Sequence, residues 1–327
     1  MSAGVAMHYG ERPSIASRLL GSRFVAIAAV VLAILVVWYA AAVPLNINTQ
    51  LFLDEQENVT NRPLGDFILA TWAQEKPRLP APHQVAVEIW NTTVGIVRGA
   101  GPDDDRTGWD RLNDLLTSPD SLVYHAWVTL SSTLLGFLLG TTLGIALAVL
   151  VVHVRSLDRS LMPWIVSSQT IPILAIAPMI IVVLAAVGLT GLLPKALIST
   201  YLSFFPVTVG MVKGLRSPDP MHLDLMRTWS ATRAQVFRKL RWPAALPFLF
   251  VSMKIAVAAS LVGAIVGELP TGAVAGIGAQ LLTGSYYSLT LQMWAALVTG
   301  ALLAGVLVGI VGVAQRVTLR RMGTRSA

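Results

Sequence analysis

The sequence contains no cysteine, and that absence removes disulfides, thiolate nucleophiles, iron–sulfur clusters and cysteine zinc sites together. Charge is scarce as well. Only 13% of the residues are Asp, Glu, Lys or Arg, against about 25% in an ordinary soluble domain. With 54% of its 327 residues hydrophobic, the chain is excluded from the water-soluble class. No G-x-x-x-x-G-K-[ST] occurs, so there is no P-loop to cradle ATP phosphates, and neither H-E-x-x-H nor G-x-S-x-G is present. His8, His83, His125, His153 and His222 are scattered without metal-ligand spacing. No catalytic residue and no metal site are expected. His125 and His153, near the two ends of one apolar run, read as interfacial residues.

What is present is a series of apolar runs of about 20 residues, the length that crosses a hydrocarbon core of roughly 30 Å. They lie near 24–43, 126–152, 161–187, 192–213, 244–268 and 293–315. The predicted class is therefore an all-α polytopic membrane protein with about six transmembrane helices. The third run is interrupted by Pro163, Pro172 and Pro178. Such breaks are tolerated where neighbouring protein or a water-filled cavity re-satisfies the freed backbone groups, which predicts a place inside the bundle. The first run also fits a cleaved signal peptide, with Arg12, Arg18 and Arg23 before it and Ala40-Ala41-Ala42 at its end.

Orientation follows from Lys and Arg. With the N-terminus inside, the segments 1–23, 153–160, 213–243 and 316–327 carry sixteen of the 24. The net charge of +7 thus reads as topology, and nucleic acid is not an expected partner. The expected organisation is a cytoplasmic segment at 1–23, a first transmembrane helix at 24–43, an external acidic segment at 44–125, a five-helix core at 126–316 with a cytoplasmic loop at 214–243, and a basic cytoplasmic tail at 317–327. Both termini are expected in the cytoplasm. In the external segment, Leu64, Phe67, Ile68, Thr71 and Trp72 share one helical face. Asp103, Asp104 and Asp105 after Gly101-Pro102 read as an exposed acidic turn.

The loop between the fourth and fifth runs carries most of the information. Asp219 can cap a helix that begins at Pro220, and no further proline appears until Pro243, which predicts a helical region of about 20 residues. Leu225, Trp229, Val236 and Leu240, with Met226 and Phe237 beside them, make an apolar stripe. Arg227, Arg233, Arg238, Lys239 and Arg241 supply charge. A basic amphipathic helix of this kind lies on an anionic membrane surface or seats its apolar side in a partner's groove.

This segment resembles the EAA loop of permease subunits of ATP-binding-cassette importers. Its consensus is Glu-Ala-Ala, a Gly further on, then Ile-x-Leu-Pro. Asp224 stands for the Glu, Leu225 and Met226 for the two Ala, Ser230 for the Gly, Leu240 for the Ile, and Trp242-Pro243 for the Leu-Pro. PILAIAP at 172–178, Gly188, Phe205-Pro206, Gly214 and Asp219 also fall where the nitrate, taurine and sulfonate subfamily has them, so the similarity covers roughly 125–316. The resemblance implies a type I ABC importer permease fold in a bacterial inner membrane. It implies that Asp224, Leu225, Trp229, Ser230, Val236, Phe237, Leu240 and Pro243 form a coupling helix seated on cytoplasmic ATPase subunits. ATP and Mg would be bound by those partners, with no cofactor in this chain. An external solute-binding protein, a second identical permease and membrane lipid complete the implied partners. The solute would be small and polar or anionic, such as nitrate, taurine, a sulfonate or a pyrimidine-like molecule.

Two further features concern packing and charge. Gly136, Gly140 and Gly144 repeat every four residues, as Gly305 and Gly309 do, and let another helix backbone approach closely. Lys254 and Glu268 are ionisable residues within or at the ends of the fifth run, where charge is costly. Fourteen residues apart, they stand about 21 Å from each other along a helix at 1.5 Å per residue and do not pair. Lys254 is expected to snorkel, and Glu268 is the candidate for the substrate path. Residues 267–292, rich in Gly and ending near Tyr286-Tyr287, read as a re-entrant or interfacial element. The rival to the importer reading is a stand-alone ion-driven transporter or channel, which favours paired intramembrane acids or inverted repeats. Neither is evident in the sequence.

Overall fold

The computed structural model describes residues 23–59, 62–98, 107–270, 273 and 275–323. Arg12, Arg18, the Asp103–Asp105 turn and the end of the basic tail lie outside the described residues. The described residues form helices joined by turns. They divide into two compact units, 1–85 and 86–327.

In the first unit, α1 (Arg23–Gln56) runs thirteen residues beyond the apolar run that predicted it, continuing through Pro44. Its apolar half is bare, with Val30, Leu32 and Val37 each about 60% exposed or more. Its polar half has one buried face at i, i+4 and i+8: Asn46, Gln50 and Asp54. Asn46 accepts from the N–H groups of Arg78 (2.8 Å) and Leu79 (3.1 Å) and donates to the Leu79 carbonyl (2.8 Å). Gln74 donates to Gln50 Oε1 (2.9 Å), Gln50 to Asp54 (2.7 Å), and Arg62 pairs with Asp54 at 2.9 Å. This ladder ties the loop after α2 (Leu64–Trp72) back onto α1. The face predicted for 64–72 is that of α2, whose Thr71 is buried.

The second unit takes in most of α3 (Pro82–Trp90, prolonged by a π turn at Asn91–Gly95 and a last turn at Ile96–Arg98) and α4 (Gly108–Thr117), whose capping box pairs Thr107 with Asp110. Then come α5 (Leu122–His153), α6 (Arg155–Ser168), α7 (Ile173–Ala186), α8 (Leu192–Leu215), α9 (Pro220–Thr228), α10 (Arg233–Val236), α11 (Trp242–Glu268), α12 (Ile277–Tyr286) and α13 (Thr290–Arg321). A π turn at Phe237–Arg241 fuses α10 to α11, so Arg233–Glu268 is one helix of 36 residues. That turn lies directly before Pro243, whose missing N–H an unmodified α-ladder would have to absorb. Five described helices are long and apolar enough to cross a membrane. The count is six when α6 and α7, bent by 98° at their break, are taken as one span.

The core is a close packing of α5, α8 and α11. A Cβ at Gly136 would overlap Ser199, and one at Gly140 would overlap Ser203. One at Gly144 would sit 2.8 Å from the Phe204 carbonyl. Gly263 meets the Ser199 backbone of α8 in the same way from α11, at 2.7 Å. Backbones this close let small hydroxyls bridge helices: Ser203 donates to the Gly136 carbonyl at 3.2 Å and Ser260 to the Thr133 carbonyl at 2.8 Å. Below, Ala148, Val151, Val207, Met211, Leu215, Ala245 and Leu249 form the largest apolar cluster. Gly305 and Gly309 of α13 behave otherwise, since a Cβ on either meets nothing within 4 Å.

The broken span departs from expectation. Its break is backed by protein, because the Tyr201 hydroxyl donates to the Ser168 carbonyl, which also accepts the Ile171 N–H across the turn. Yet α7 is not enclosed: Leu174, Met179, Val182 and Val183 are each more than 60% exposed, and Ala177 is its one buried residue. A span is interior only with neighbours on both sides, and among the described residues α7 leans on one side alone.

Candidate functional site

The loop after α8 begins as its sequence predicts. Asp219 accepts from the Met221 N–H at 2.8 Å and Pro220 opens α9. It does not continue as one helix of about 20 residues. After α9 the Ser230 N–H bonds to the Arg227 carbonyl (2.8 Å) and the Ala231 N–H to the Met226 carbonyl (3.0 Å), with Ser230 at φ +53°. This paired pattern around a left-handed residue is the Schellman ending of a helix. Thr232 then caps a new helix through a capping box with Gln235. A left-handed residue and a fresh N-cap within three positions make a continuous helix impossible here.

The break divides the expected apolar stripe. Met221, Leu225 and Trp229 are exposed, at 73%, 45% and 70%. Val236 and Leu240 are half-buried, and Phe237 packs into the chain's own core, its ring 5.2 Å from His153 and 5.9 Å from Trp242. Asp224 is exposed and pairs with Arg227 at 2.7 Å. Pro243 lies in the first turn of α11. The structure therefore gathers Leu225 and Trp229 on an accessible surface and turns Phe237 inward. Ser230, the position that departs from the consensus Gly, holds the backbone conformation that glycine favours.

A second cluster forms where α5 and α8 begin and α11 ends. Glu268 is fully buried. Its carboxylate accepts from Thr129 Oγ1, 3.0 Å from each oxygen, and from the Gly278 N–H at 2.8 Å; Lys195 Nζ stands 3.8 Å away. Thr129 Oγ1 in turn accepts the Ile277 N–H at 2.8 Å. His125, 2% exposed, is no interfacial residue: its Nδ1 accepts the Gly276 N–H at 2.9 Å, which leaves Nε2 protonated and donating to the Pro119 carbonyl at 2.7 Å. Gln280 donates to the same Pro119 carbonyl at 3.5 Å, and Gln292 donates to Gln280 Oε1. The N-terminus of α12 is thus fastened to α5 and α11 by buried polar groups. Gly276 is needed for this approach, since with φ +127° any Cβ would strike the Glu268 carboxylate. Tyr286 and Tyr287 at the far end of α12 are exposed.

Sequence reading singled out Glu268 and passed over Thr129, Lys195 and the Gly276–Gly278 backbone. Lys195 was visible as a lone base in a short connection between apolar runs. Beside it lies a cavity of about 400 Å³ lined by Tyr124, Val128, Ile181, Ala185, Lys195 and Ala275 among others.

Comparison with known proteins agrees with the loop. The family profile described as "Binding-protein-dependent transport system inner membrane component" matches residues 140–324. A probable ABC transporter permease protein of Haemophilus influenzae is 36% identical over 164 residues, 50% of this chain and 65% of the relative. The formylaminopyrimidine transport permease protein ThiX of Halalkalibacterium halodurans is 34% identical over 47% of this chain and 60% of its own length. The riboflavin transport system permease protein RibX of Chloroflexus aurantiacus is 33% identical over 60% and 71%. The chain spans less than two thirds of the length of the first two relatives. The matched profile runs from the middle of α5 through α6, α7, α8, the α9–α10 loop, α11 and α12 to the end of α13, and this chain belongs to the family of binding-protein-dependent transport system inner membrane components.

Proposed function

We propose that the chain is the membrane-spanning subunit of an ATP-driven importer, forming the path for a small polar or anionic solute handed over by an external binding protein. The observation that carries this reading is the loop of a family member built with Met221, Leu225 and Trp229 exposed on a surface that packing inside the chain does not use. An apolar patch of that kind has a physical reason to exist only when it is covered. Covering it with an ATPase gives the chain an energy source. The end of the bundle that holds Glu268 then faces outside, and both chain termini lie in the cytoplasm of a bacterial inner membrane.

The proposed coupling is mechanical. From Arg233 to Glu268 the chain is one helix, so a displacement imposed at the loop reaches the opposite end of the bundle without crossing a flexible joint. The ring contact of Phe237, in the π turn at Phe237–Arg241, with His153 anchors the base of that lever to α5. Leu225 and Trp229 are the seat; Val236, Leu240 and Pro243 belong to the lever. Gly136, Gly140 and Gly144 hold α5 against α8 within one subunit. A second identical subunit, supported by the bare face of α7, would complete the path.

The relatives' names speak of formylaminopyrimidine and riboflavin for those proteins. The test is ATP-dependent uptake in proteoliposomes that hold this chain, its ATPase and binding protein. Wild type is compared with Leu225→Ala/Trp229→Ala. Loss of uptake together with ATPase association, at unchanged folding, is the expected result. Phe237→Ala is unsuited to this purpose because Phe237 supports the chain's own core. Uptake driven by an ion gradient through this chain alone, indifferent to those two residues, would overturn the reading in favour of a secondary transporter.

A further inference from the structure

A groove of about 460 Å³ runs between α8 and α11. Pro206, Val209 and Gly210 form its α8 wall, and Pro247, Val251 and Ile255 its α11 wall. Two polar side chains also line it. Ser252 spends its hydroxyl on the Leu249 carbonyl at 2.8 Å. Lys213, at one end, is exposed; its ammonium stands 5.9 Å from the Phe248 ring centroid and has no hydrogen bond or ion pair among the described residues. Arg241 lies seven residues, or two turns, before Phe248 and so on the same helical face. It is half-buried and likewise unpaired among the described residues. The acids at this end of the bundle are engaged elsewhere: Asp158 pairs with Arg216 at 2.8 Å, Asp224 with Arg227 at 2.7 Å, and Asp219 caps α9. Lys254, also on α11, faces Gly312 of α13 instead.

We propose that this groove binds an anionic phospholipid, one acyl chain lying between α8 and α11 and the headgroup phosphate held by Lys213 and Arg241. The site requires only that the chain lies in a bilayer, whatever solute or energy source it uses. Three features commit it to this occupant. The α11 wall from Pro247 to Ile255 is about 12 Å long at 1.5 Å per residue, close to the depth of one leaflet of a hydrocarbon core about 30 Å thick. Both cations stand at the end where the α9–α10 loop leaves the bundle, and the rest of the lining is uncharged, which matches a headgroup above its chain. An ammonium and a guanidinium without a counter-acid complement a net-negative headgroup, whereas a zwitterionic headgroup brings its own cation to the same place. A second copy of the chain is the poorer cover. A two-fold pair in a membrane would bring a second Lys213 and Arg241 to the same depth, like charge against like.

The experiment places the full chain, with its ATPase and binding protein, in nanodiscs of dioleoylphosphatidylcholine. Each preparation carries a trace of a phospholipid with a diazirine in one acyl chain, either phosphatidylglycerol or phosphatidylcholine. Irradiation is followed by mass-spectrometric mapping of the labelled peptides. Phosphatidylglycerol should label 206–213 and 247–255 about tenfold or more above phosphatidylcholine, since each facing cation contributes about fivefold. Unlabelled phosphatidylglycerol should compete and glycerol phosphate should not. Two variants alter the site differently. Lys213→Gln/Arg241→Gln should bring phosphatidylglycerol labelling down to the phosphatidylcholine level, and Val251→Trp, which fills the groove with both cations intact, should lower it about tenfold. Labelling of the exposed face of α13 at Leu302, Val306 and Ile310 should stay constant throughout and reports intact folding. Equal labelling of the groove by the two lipids, or phosphatidylglycerol labelling unmoved by loss of the two cations, overturns the site as ordinary lipid contact. Labelling by neither lipid overturns it in favour of a protein cover, and competition by glycerol phosphate in favour of a free-phosphate site.

Discussion

Replacing Ser230 by glycine should stabilise the loop that ends α9. Ser230 holds φ +53° because the Schellman pair, Ser230 N–H to Arg227 and Ala231 N–H to Met226, closes only around a left-handed residue. An L side chain there costs about 1–2 kcal/mol relative to glycine. Glycine's larger freedom in the open chain takes back about 0.5–1 kcal/mol. The net gain is about 0.5–1 kcal/mol, or about two- to fivefold in the local opening equilibrium. The assay is hydrogen exchange of the peptide spanning 226–233 in the full chain, where the Ala231 amide reports the 6→1 bond directly. Ser230→Gly should exchange about two- to fivefold more slowly. Ser230→Val places a β-branched side chain in the left-handed region and should exchange faster, through strain of about 1–3 kcal/mol. A glycine variant exchanging as fast as wild type, or a valine variant indistinguishable from it, would refute the account. It would mean that the loop is held by something other than this backbone geometry.

Three further outcomes are expected. Gly140→Val should abolish the monodisperse fraction in detergent, since even a Cβ there overlaps Ser203, whereas Gly305→Ala should be neutral because nothing lies within 4 Å; fluorescence-detected size exclusion separates the two. Thr129→Val keeps the shape but leaves Glu268 short of a donor and the Ile277 N–H short of an acceptor, a loss of about 2–4 kcal/mol that Thr129→Ser should restore in a thermal-unfolding series. Asn46→Ala strips the partners of the Arg78 and Leu79 N–H groups, so tryptic cleavage after Arg78 should speed up at least tenfold while cleavage elsewhere is unchanged.

The spans were legible because bilayer thickness imposes a length on apolar runs, and α5, α8, α11 and α13 each contain the run that predicted them. The Gly136–Gly140–Gly144 stripe was legible for a similar reason: four residues is nearly one turn, and only a close neighbour gives such a repeat a use. The same spacing at Gly305 and Gly309 faces open space, so the repeat alone does not name a partner. The Asn46–Gln50–Asp54 face obeys the helical repeat equally well, yet a search for apolar periodicity passes over it because its members are polar. In the loop, Thr232 and Gln235 spell a capping box that announces a second helix start. The stripe Leu225, Trp229, Val236, Leu240 ran across that signal, and the expectation of one helix followed from giving hydrophobic spacing precedence over a cap. Ser230 itself carried no local mark of its left-handed backbone; only its correspondence to a consensus glycine pointed there.

Glu268 raises a more general point about charge in a membrane span. Sequence establishes that such a residue is costly, and the cost must be offset. It can be offset by water and solute in a path or by donors fixed in the protein, and the two leave the same letter in the sequence. Thr129, Lys195 and the Gly278 amide lie 139, 73 and 10 residues from Glu268, so no local pattern connects them. Once they are brought together, the carboxylate has its donors within 3.0 Å and no exposed surface. Its role is to hold the N-terminus of α12 and to balance Lys195.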